Sequence, residues 1–263
     1  MYCLKLKIVR AVQHFCIWLH LIIKTTIMKR LTYTIFAVML VIAASFKASA
    51  QSEESRQVSG FHSIASGGPF NVHVNINGTE SLKISASPDI IKLIETVVED
   101  GTLKIKFRDH LKSGEGNSDG PIDIYITAKS LSALVHSGSG SIKVEGAAVS
   151  GEDVNVVLSG SGNIESAVKS DNLQVTISGS GTVHLNGSAD NTKVVISGSG
   201  DMKGKELKTN SASVTIAGSG NAYFNADKTV SAHIVGSGNV VYSGNATITD
   251  SRTVGSGGVS KED

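Results

Sequence analysis

Serine side chains are the groups in this sequence that could do chemistry and that recur at the most regular spacing. Gly-Ser-Gly occurs seven times, and its successive copies begin 22, 19, 19, 20, 18 and 19 residues apart. The serines at the centre of these tripeptides are Ser139, Ser161, Ser180, Ser199, Ser219, Ser237 and Ser256. A column of hydroxyls could bind a ligand, or it could line a repeated turn. The candidate partner-facing residues are Ser161, Ser180, Ser199 and Ser219, together with the aromatic Tyr223 and Tyr242.

Histidines and carboxylates, the usual catalytic and metal-binding groups, form no motif of that kind. The histidines after residue 50 are His62, His73, His110, His136, His184 and His233, and none has the close spacing of a metal site. A glycosidase needs two carboxylates at one groove, but the aspartates of the repeats stand at varied offsets from the tripeptide. No Gly-Ser-Gly copy extends into a phosphate-binding loop. The sequence therefore predicts no catalytic residue, no metal, no cofactor and no nucleotide partner.

Apolar residues keep a constant position relative to each tripeptide, which indicates how the repeat folds. Two residues before the first glycine stand His136, Leu158, Ile177, Ile196, Ile216, Ile234 and Thr253. Residues four before and four after it are also mostly apolar, with polar residues between them. This alternation is typical of strands that bury one face. The polar residues at the two ends, His136 and Thr253, are interpreted as caps where the stack stops.

A parallel β-helix is the fold that this pattern predicts. About 19 residues per turn is too short for a helix plus two strands. In an antiparallel meander, successive corners would lie at opposite edges of the sheet, whereas here the same corner occurs in every repeat. Each turn is expected to consist of a strand, a glycine corner, a second strand and a polar return loop such as residues 186–190. Right-handed winding is the default for parallel crossovers. The corner glycines are Gly138, Gly140, Gly160, Gly162, Gly179, Gly181, Gly198, Gly200, Gly218, Gly220, Gly236, Gly238, Gly255 and Gly257.

Residues 58–137 are β-rich but irregular, and we expect them to cover the open end of the repeats at 138–258. Ser87 and Pro88 could begin one short helix, with Ser87 as its cap. Asp100-Gly101 predicts a hairpin turn. Residues 113–120 have the composition of an exposed loop.

The first 50 residues have the pattern of an export signal rather than of a folded domain. Residues 28–50 contain a basic start, an apolar stretch and a small-residue cleavage site, which predicts cleavage after Ala50. Residues 1–27 are interpreted as an extension upstream of the true start at Met28, although a membrane-retained N-terminus is the alternative. Residues 51–57 would form a short tail.

Cleavage at that point would leave a cysteine-free, acidic chain. Both cysteines precede residue 51, as do seven of the 24 Lys and Arg residues and none of the 23 Asp and Glu residues, so the remaining net charge is 17 minus 23, or −6. Disulfides and cysteine-ligated metals are thereby excluded from it. A net negative charge also argues against a nucleic-acid partner.

Several segments together resemble a known family of exported proteins. Val58-Ser59-Gly60-Phe61, residues 66–72, residues 94–105 and the Ser-Gly-Ser-Gly series are similar to the "putative auto-transporter adhesin, head GIN domain" family, which is common in Bacteroidetes and was once grouped as a domain of unknown function. The resemblance covers residues 56–258 and implies a right-handed β-helix with an adhesin-like role. It implies no catalytic or binding residues. An autotransporter needs a membrane barrel of many strands, and this sequence ends at Asp263 just after the last corner, so self-transport is not expected.

Three functions remain open at this stage. The first is a non-enzymatic exported protein, in the periplasm, at the outer cell surface or outside the cell, that binds a glycan or a cell-surface protein. The second is a carbohydrate-active β-helix enzyme. The third is a structural component of the cell envelope without a ligand.

Overall fold

Glycine corners divide the chain into rungs, and the two glycines of each corner meet different requirements. The computed structural model describes residues 51–108 and 120–262, which lie within one compact unit. The first glycine of each tripeptide has a positive φ, +117° at Gly198, where a side chain would be strained. The second has no such φ, but a Cβ on Gly200 would lie 2.6 Å from Ile177 Cγ2. The corner therefore requires glycine twice, once for conformation and once for space.

The regular repeats form ten strands that pair in parallel along one stack. They are β8 (Ala133–Gly138), β9 (Ser141–Gly146), β10 (Val149–Gly160), β11 (Asn163–Gly179), β12 (Thr182–Gly198), β13 (Asp201–Gly218), β14 (Asn221–Gly236), β15 (Asn239–Ser243), β16 (Thr247–Gly255) and β17 (Gly258–Lys261). Equivalent residues lie opposite one another, so Ile177 pairs with Ile196 and Ile196 with Ile216. All three are at most 1 % exposed. Burial of each such side chain contributes about 1.5–3 kcal/mol, and the predicted β-solenoid is confirmed. Its winding sense stays a prediction.

The predicted polar return loop is wrong. Residues 186–190 lie inside β12 and continue the parallel ladder, with Gly187 opposite Val168 and Ala189 opposite Ser170. Ala189 is 5 % exposed. Polar composition suggested a loop, but the segments above and below satisfy its backbone hydrogen bonds, which a surface loop would leave to water.

The N-terminal part contributes its own rungs and is more than a cover. Its elements are β1 (Ser52–Arg56), β2 (Ser63–Gly67), β3 (Asn71–Ile76), β4 (Ser81–Ala86), α1 (Pro88–Ile91), β5 (Ile94–Glu99), β6 (Thr102–Phe107) and β7 (Asp123–Ala128). Strands β2 and β3 pair in parallel with β8 and β9 on one side, and with β6 and β7 on the other. The rung order along the stack is therefore not the sequence order.

Antiparallel strands end the stack on the N-terminal side. Strand β4 pairs with β7 and β1 pairs with β4, while β5 pairs with β6 through the predicted hairpin. Asp100 and Gly101 both have a positive φ, 49° and 69°, as a tight hairpin turn of this kind requires. The short helix is present, but its predicted side-chain cap is wrong, because Ser87 makes no capping hydrogen bond.

Two predictions fall wholly or largely outside the described residues. These are the export signal at 28–50 with its upstream extension, and the loop at 113–120, of which the structure describes only the exposed Gly120. Within the part of the chain that is described, no helix is long and apolar enough to cross a membrane.

Candidate functional site

Two rows of outward-facing polar side chains border a groove of about 580 Å³ that runs across the rungs. One row is Asp153, Asn172, Asn191, Ser211 and Thr229, and the other is Asn155, Gln174, Lys193, Ser213 and Ser231. We call this depression the amide groove. Side chains between the rows, such as Leu173 at 1 % exposed, point into the core. Since five rungs contribute, the groove is about 19 Å long at the usual strand spacing.

Side-chain hydrogen bonds order one wall of the amide groove. The amide of Asn172 donates to Asp153 Oδ1 at 3.0 Å, and the amide of Asn191 donates to Asn172 Oδ1 at 3.2 Å. All these donors point in the same direction along the stack. The wall is therefore a ladder that restrains these side chains before any ligand binds, which reduces the entropy lost on binding.

A buried hydroxyl pair lies beneath the groove. Thr192 Oγ1 donates to Thr209 Oγ1 at 3.0 Å, and the two side chains are 2 % and 3 % exposed. The hydroxyl of Thr209 also bonds to the carbonyl oxygens of Asp190 and Ser211, at 3.3 and 3.2 Å. Because the pairing register shifts between Thr209 and Ser211, these bonds satisfy polar groups at an irregular point of the sheet.

Another face of the solenoid carries a row of mixed chemistry. The members of this mixed row are Lys83, Tyr125, His73, Lys143, Glu165, His184, Lys203 and Tyr223, each opposite the next in the ladder. The rings of His73 and Tyr125 stack with their centroids 5.0 Å apart, and Lys83 Nζ lies 5.2 Å from the centroid of Tyr125. Neighbours therefore occupy both faces of the Tyr125 ring.

Charges on the mixed row are largely neutralised locally. Lys83 Nζ lies 2.9 Å from Glu53, and Lys143 Nζ lies 3.0 Å from Glu145. A hydrogen bond from Lys143 to Glu145 raises the pKa of Lys143, and the charges of Glu145 and Glu165 add to this effect. This face is accordingly zwitterionic, and its best-placed aromatic ring is not free to stack on a ligand.

The serine candidates lie at the glycine corners and do not line the amide groove. Ser161, Ser180, Ser199 and Ser219 are all exposed, and their hydroxyls bond to no other described side chain. Tyr223 is half-buried beside a shallow depression, with Lys205 Nζ 5.9 Å from its ring centroid. Tyr242 is 5 % exposed and packs into the core, so the assignment of Tyr242 as partner-facing is wrong.

His136 is not the end cap that its position in the alignment suggested. It is 0 % exposed and lies between Ser66 and Leu158 in adjacent strands, because the N-terminal rungs continue the stack. Neither ring nitrogen, nor the Oγ of Ser66, has a hydrogen-bonding partner among the described residues. Burial lowers the pKa of His136, and the nearby carbonyls of Gly140 and Ser66 only partly oppose this shift.

The aspartates of the repeats are distributed over several surfaces. Asp153 lies in the amide groove, Asp190 accepts a hydrogen bond from Asn210, and Asp201 accepts two from Asn221. Asp250 lies near His233 and Arg252. Across residues 51–108 and 120–262, no three histidines or carboxylates are grouped so as to hold a metal ion.

Both groove walls could have been found from the sequence. The ladder residues stand seven positions before each first glycine, and the opposite wall stands five before it. Alignment of the apolar positions reveals the core but not these polar columns. Asp153, Asn172 and Asn191 are linked by hydrogen bonds, but they are not all of one residue type.

Comparison with known proteins identifies the family. A family model described as "Putative auto-transporter adhesin, head GIN domain" matches residues 60–246. A crystal structure of a putative adhesin from Bacteroides fragilis is similar with a TM-score of 0.73 and 25% identity, covering 82% of this chain and 98% of the other. A putative adhesin from Parabacteroides merdae has a TM-score of 0.64 and 19% identity, and a putative lipid binding protein from Parabacteroides distasonis has 0.65 and 23%, both with the same coverage.

Proteins with curated functions offer no such guide, since none of them matches this chain. The family model nevertheless spans most of the 263 residues, and the similar structures share the solenoid. This chain therefore belongs to the head GIN domain family of adhesin-like proteins.

Proposed function

We propose that this protein is a non-enzymatic, adhesin-like binding protein that holds an extended polysaccharide in the amide groove. The observation that carries the proposal is the pair of amide and hydroxyl rows facing each other over five rungs. Asparagine, glutamine, serine and threonine each supply donors and acceptors suited to sugar hydroxyls. Membership of an adhesin-like family agrees with a role in binding at a surface.

The shape of the groove favours a chain molecule over a compact ligand. Its walls repeat at about 4.8 Å and extend along the stack. A polymer lying along this direction would meet the same kind of side chain at every rung. Because weak contacts add up along such a polymer, a groove without aromatic platforms could still hold a long glycan.

The presence of one carboxylate among the residues that line the groove supports binding rather than hydrolysis. Asp153 is the one carboxylate among the residues that line it, and it is hydrogen-bonded to Asn172. Glycosidases of the common types place two carboxylates about the scissile bond. A glycosidase of this type would therefore need a second carboxylate, which none of the residues lining the groove supplies.

Export is part of the proposal. Residues 28–50 would direct the chain across the inner membrane, and cleavage after Ala50 would release it. N-terminal sequencing of the exported protein is expected to begin at Gln51. A product that retained Met28 would contradict the cleavage.

The binding test compares two double variants on a glycan array and then by calorimetry. Asn172→Ala with Gln174→Ala removes hydrogen-bonding groups from both walls, and each lost bond is worth about 0.5–1.5 kcal/mol, so affinity should fall about tenfold. Asn163→Ala with Asn186→Ala removes two exposed amides outside the groove and should leave affinity unchanged. Failure of the purified protein to bind any glycan would favour a structural role, and release of sugar products would favour an enzyme. Either result would refute the proposal.

A further inference from the structure

The solenoid ends on its C-terminal side in strands whose outer edges are unpaired. Strand β16 pairs with β14 and β17 pairs with β15, and no other strand of the described residues lies beyond them. The N-terminal end differs, because antiparallel strands cover it and Arg56 donates hydrogen bonds to the carbonyl oxygens of Ile91 and Ile94. Backbone N–H and C=O groups on the outer edge of β16 are therefore available to a further strand.

Exposed apolar side chains collect at this same end. Four large apolar side chains of the described residues are exposed, and three of them are Val235, Ile248 and Val254, at 60, 45 and 69 %. Val235 and Val254 pair with each other at the position directly before the corner glycine. This position therefore changes from polar to apolar toward the open end, which is typical of a surface that another protein covers. In the earlier rungs it holds Ser137, Ser159, Ser178, Ser197 and Ala217.

The charges of β16 are arranged so that the strand complements a second copy of itself. Asp250, Ser251 and Arg252 are consecutive, and the side chains of Asp250 and Arg252 are 43 and 76 % exposed. When two copies pair in antiparallel orientation with their Ser251 residues opposite each other, Asp250 of each lies opposite Arg252 of the other. Within one chain, Arg252 Nε lies 3.7 Å from Asp250 Oδ1, and His233 Nε2 lies 3.3 Å from Asp250 Oδ2. Pairing would add two directly opposed contacts between the copies.

Charged residues and a bulge can also protect an edge strand from association, and β16 has both. Its register against β14 shifts at Thr249, which leaves residues 250–255 as regular strand. Charges of a single sign would repel a second copy in any orientation. In β16, one negative and one positive charge flank Ser251, so an antiparallel copy is attracted, whereas a parallel copy in register sets like charges opposite each other. The charges therefore select one orientation instead of preventing pairing.

From these observations we infer that two copies of this protein associate end to end, through antiparallel pairing of β16 about a twofold axis at Ser251. Each copy uses the same residues, so the assembly closes at two copies and does not grow into a fibre. Val254 of one copy lies beside residues 248 and 249 of the other, which covers part of its apolar surface. Asp250 continues the column of Ser231, a residue of the amide groove, so the two grooves lie on one continuous sheet. The association does not depend on the proposed function.

Reversal of the charges on β16 tests the association, measured by sedimentation equilibrium over a range of protein concentrations. Arg252→Glu sets a carboxylate opposite Asp250 at both contacts and should raise the dimer dissociation constant about tenfold or more. Asp250→Arg should do the same. The double variant with Asp250→Arg and Arg252→Asp should regain most of the affinity, because the opposed charges again differ in sign. Lys92→Glu is the matched control, since it converts the exposed ion pair with Asp89 into a like-charge pair and should leave association unchanged.

Disulfide crosslinking tests the register, in a protein that also carries Cys3→Ser and Cys16→Ser. Ser251→Cys sets two thiols opposite each other across the axis, with their Cβ atoms about 5 Å apart, and oxidation should link most of the protein into dimers. Thr253→Cys changes the next residue on the same face of β16 and is the control. Its two copies would lie about 14 Å apart, too far for a disulfide, so little dimer should form.

Several outcomes would overturn the inference. These are a monomer at every concentration, a dimer that survives the single charge reversals, a double variant that stays monomeric, larger assemblies, and equal crosslinking of the two cysteine variants. Urea denaturation of each variant at the unmodified midpoint would show that a lost dimer is not a lost fold. If the dimer forms as expected and the protein binds no glycan, the inference stands and the proposed function falls.

Discussion

Neighbouring strands of the regular repeats often present identical residues to one another, whereas those of the N-terminal part present different apolar residues, such as Ile64 opposite Leu103. In the repeats, Val175 lies on Val194 and Val194 on Val214. In the N-terminal part, Arg56 donates hydrogen bonds to the carbonyl oxygens of Ile94 and Ile91, at 2.8 and 3.1 Å. The repeats thus depend on backbone ladders and stacked apolar side chains. The N-terminal part has ladders and buried apolar side chains as well, and it adds contacts from individual side chains to backbone carbonyl oxygens.

The difference shows how a solenoid can be joined to an end that is not a solenoid. In a repeated rung, the backbone N–H and C=O groups form hydrogen bonds with neighbouring rungs of the same kind. An antiparallel end must satisfy each strand with a different neighbour, so it uses specific ion pairs such as that between Lys129 and Glu80, at 2.6 Å. That hydrogen bond lowers the pKa of Glu80, and those from the backbone N–H groups of Gly60 and Phe61 lower it further.

The largest effect is expected from a corner glycine of the repeats. Gly198→Ala would combine a strained φ of +117° with a Cβ only 2.5 Å from the carbonyl oxygen of Gly179. We expect a loss of about 2–4 kcal/mol in the free energy of unfolding, measured by urea denaturation.

Gly60→Ala is the matched change in the N-terminal part. Gly60 has a φ of +75°, but a Cβ at this position would meet no atom within 4 Å. Only the backbone strain remains, at a cost of about 1 kcal/mol. Equal losses at the two glycines would show that close stacking of the corners does not limit the repeats.

The next effect concerns His136, where the two regions meet. His136→Leu would replace a buried ring whose nitrogens have no partner with the residue type found opposite it, Leu158. The free energy of unfolding at neutral pH should rise by about 1–3 kcal/mol. The exposed His184→Leu serves as the control and should change it little.

The stability of the unmodified protein should also depend on pH through His136. Its pKa is lowered in the folded state by burial, so below about pH 6.5 the unfolded chain binds the proton more readily. The free energy of unfolding should therefore fall as the pH drops below that value, and the fall should be smaller in the leucine variant. Identical pH profiles for the two proteins would refute this account.

The smallest effect is expected from Arg56. Arg56→Ala removes hydrogen bonds that hold β1 against the segment around α1 and β5, at a cost of about 1–2 kcal/mol. Amide exchange should accelerate in β1 and leave β12 unchanged. Lys92→Ala, which removes an exposed ion pair with Asp89, should have no comparable effect. Faster exchange throughout the repeats would mean that the two regions unfold as one unit.

The repeats could be predicted from the sequence because each strand packs on a copy of itself. The column of Ile177, Ile196 and Ile216 is visible in any alignment of the tripeptides. The rung order of the N-terminal part could not be predicted, because β2 pairs with β6 and β8, which are distant in sequence and unlike it. The interpretation of His136 as a cap is wrong for this reason: its neighbour Ser66 lies 70 residues earlier in the chain.

The candidate site was predicted less well than the fold. Ser161 and its equivalents are conspicuous by their regularity, yet glycine geometry accounts for the tripeptide. The groove walls stand seven and five positions before each first glycine, but their members, such as Asp153, Asn172 and Ser211, differ in residue type and so attract no attention in the alignment. Periodicity of apolar residues does not report on such columns.

Repetition leaves the rungs nearly interchangeable, so a strand of the stack could pair one rung out of place with little local loss. The parallel pairing of β2 with β8 differs from every later one, since it sets Ser66 against His136 and Gly67 against Ser137. When β2 and β8 pair correctly, the position of every later rung along the stack is set as well. The irregular N-terminal part would thus fix the register of the repeats during folding.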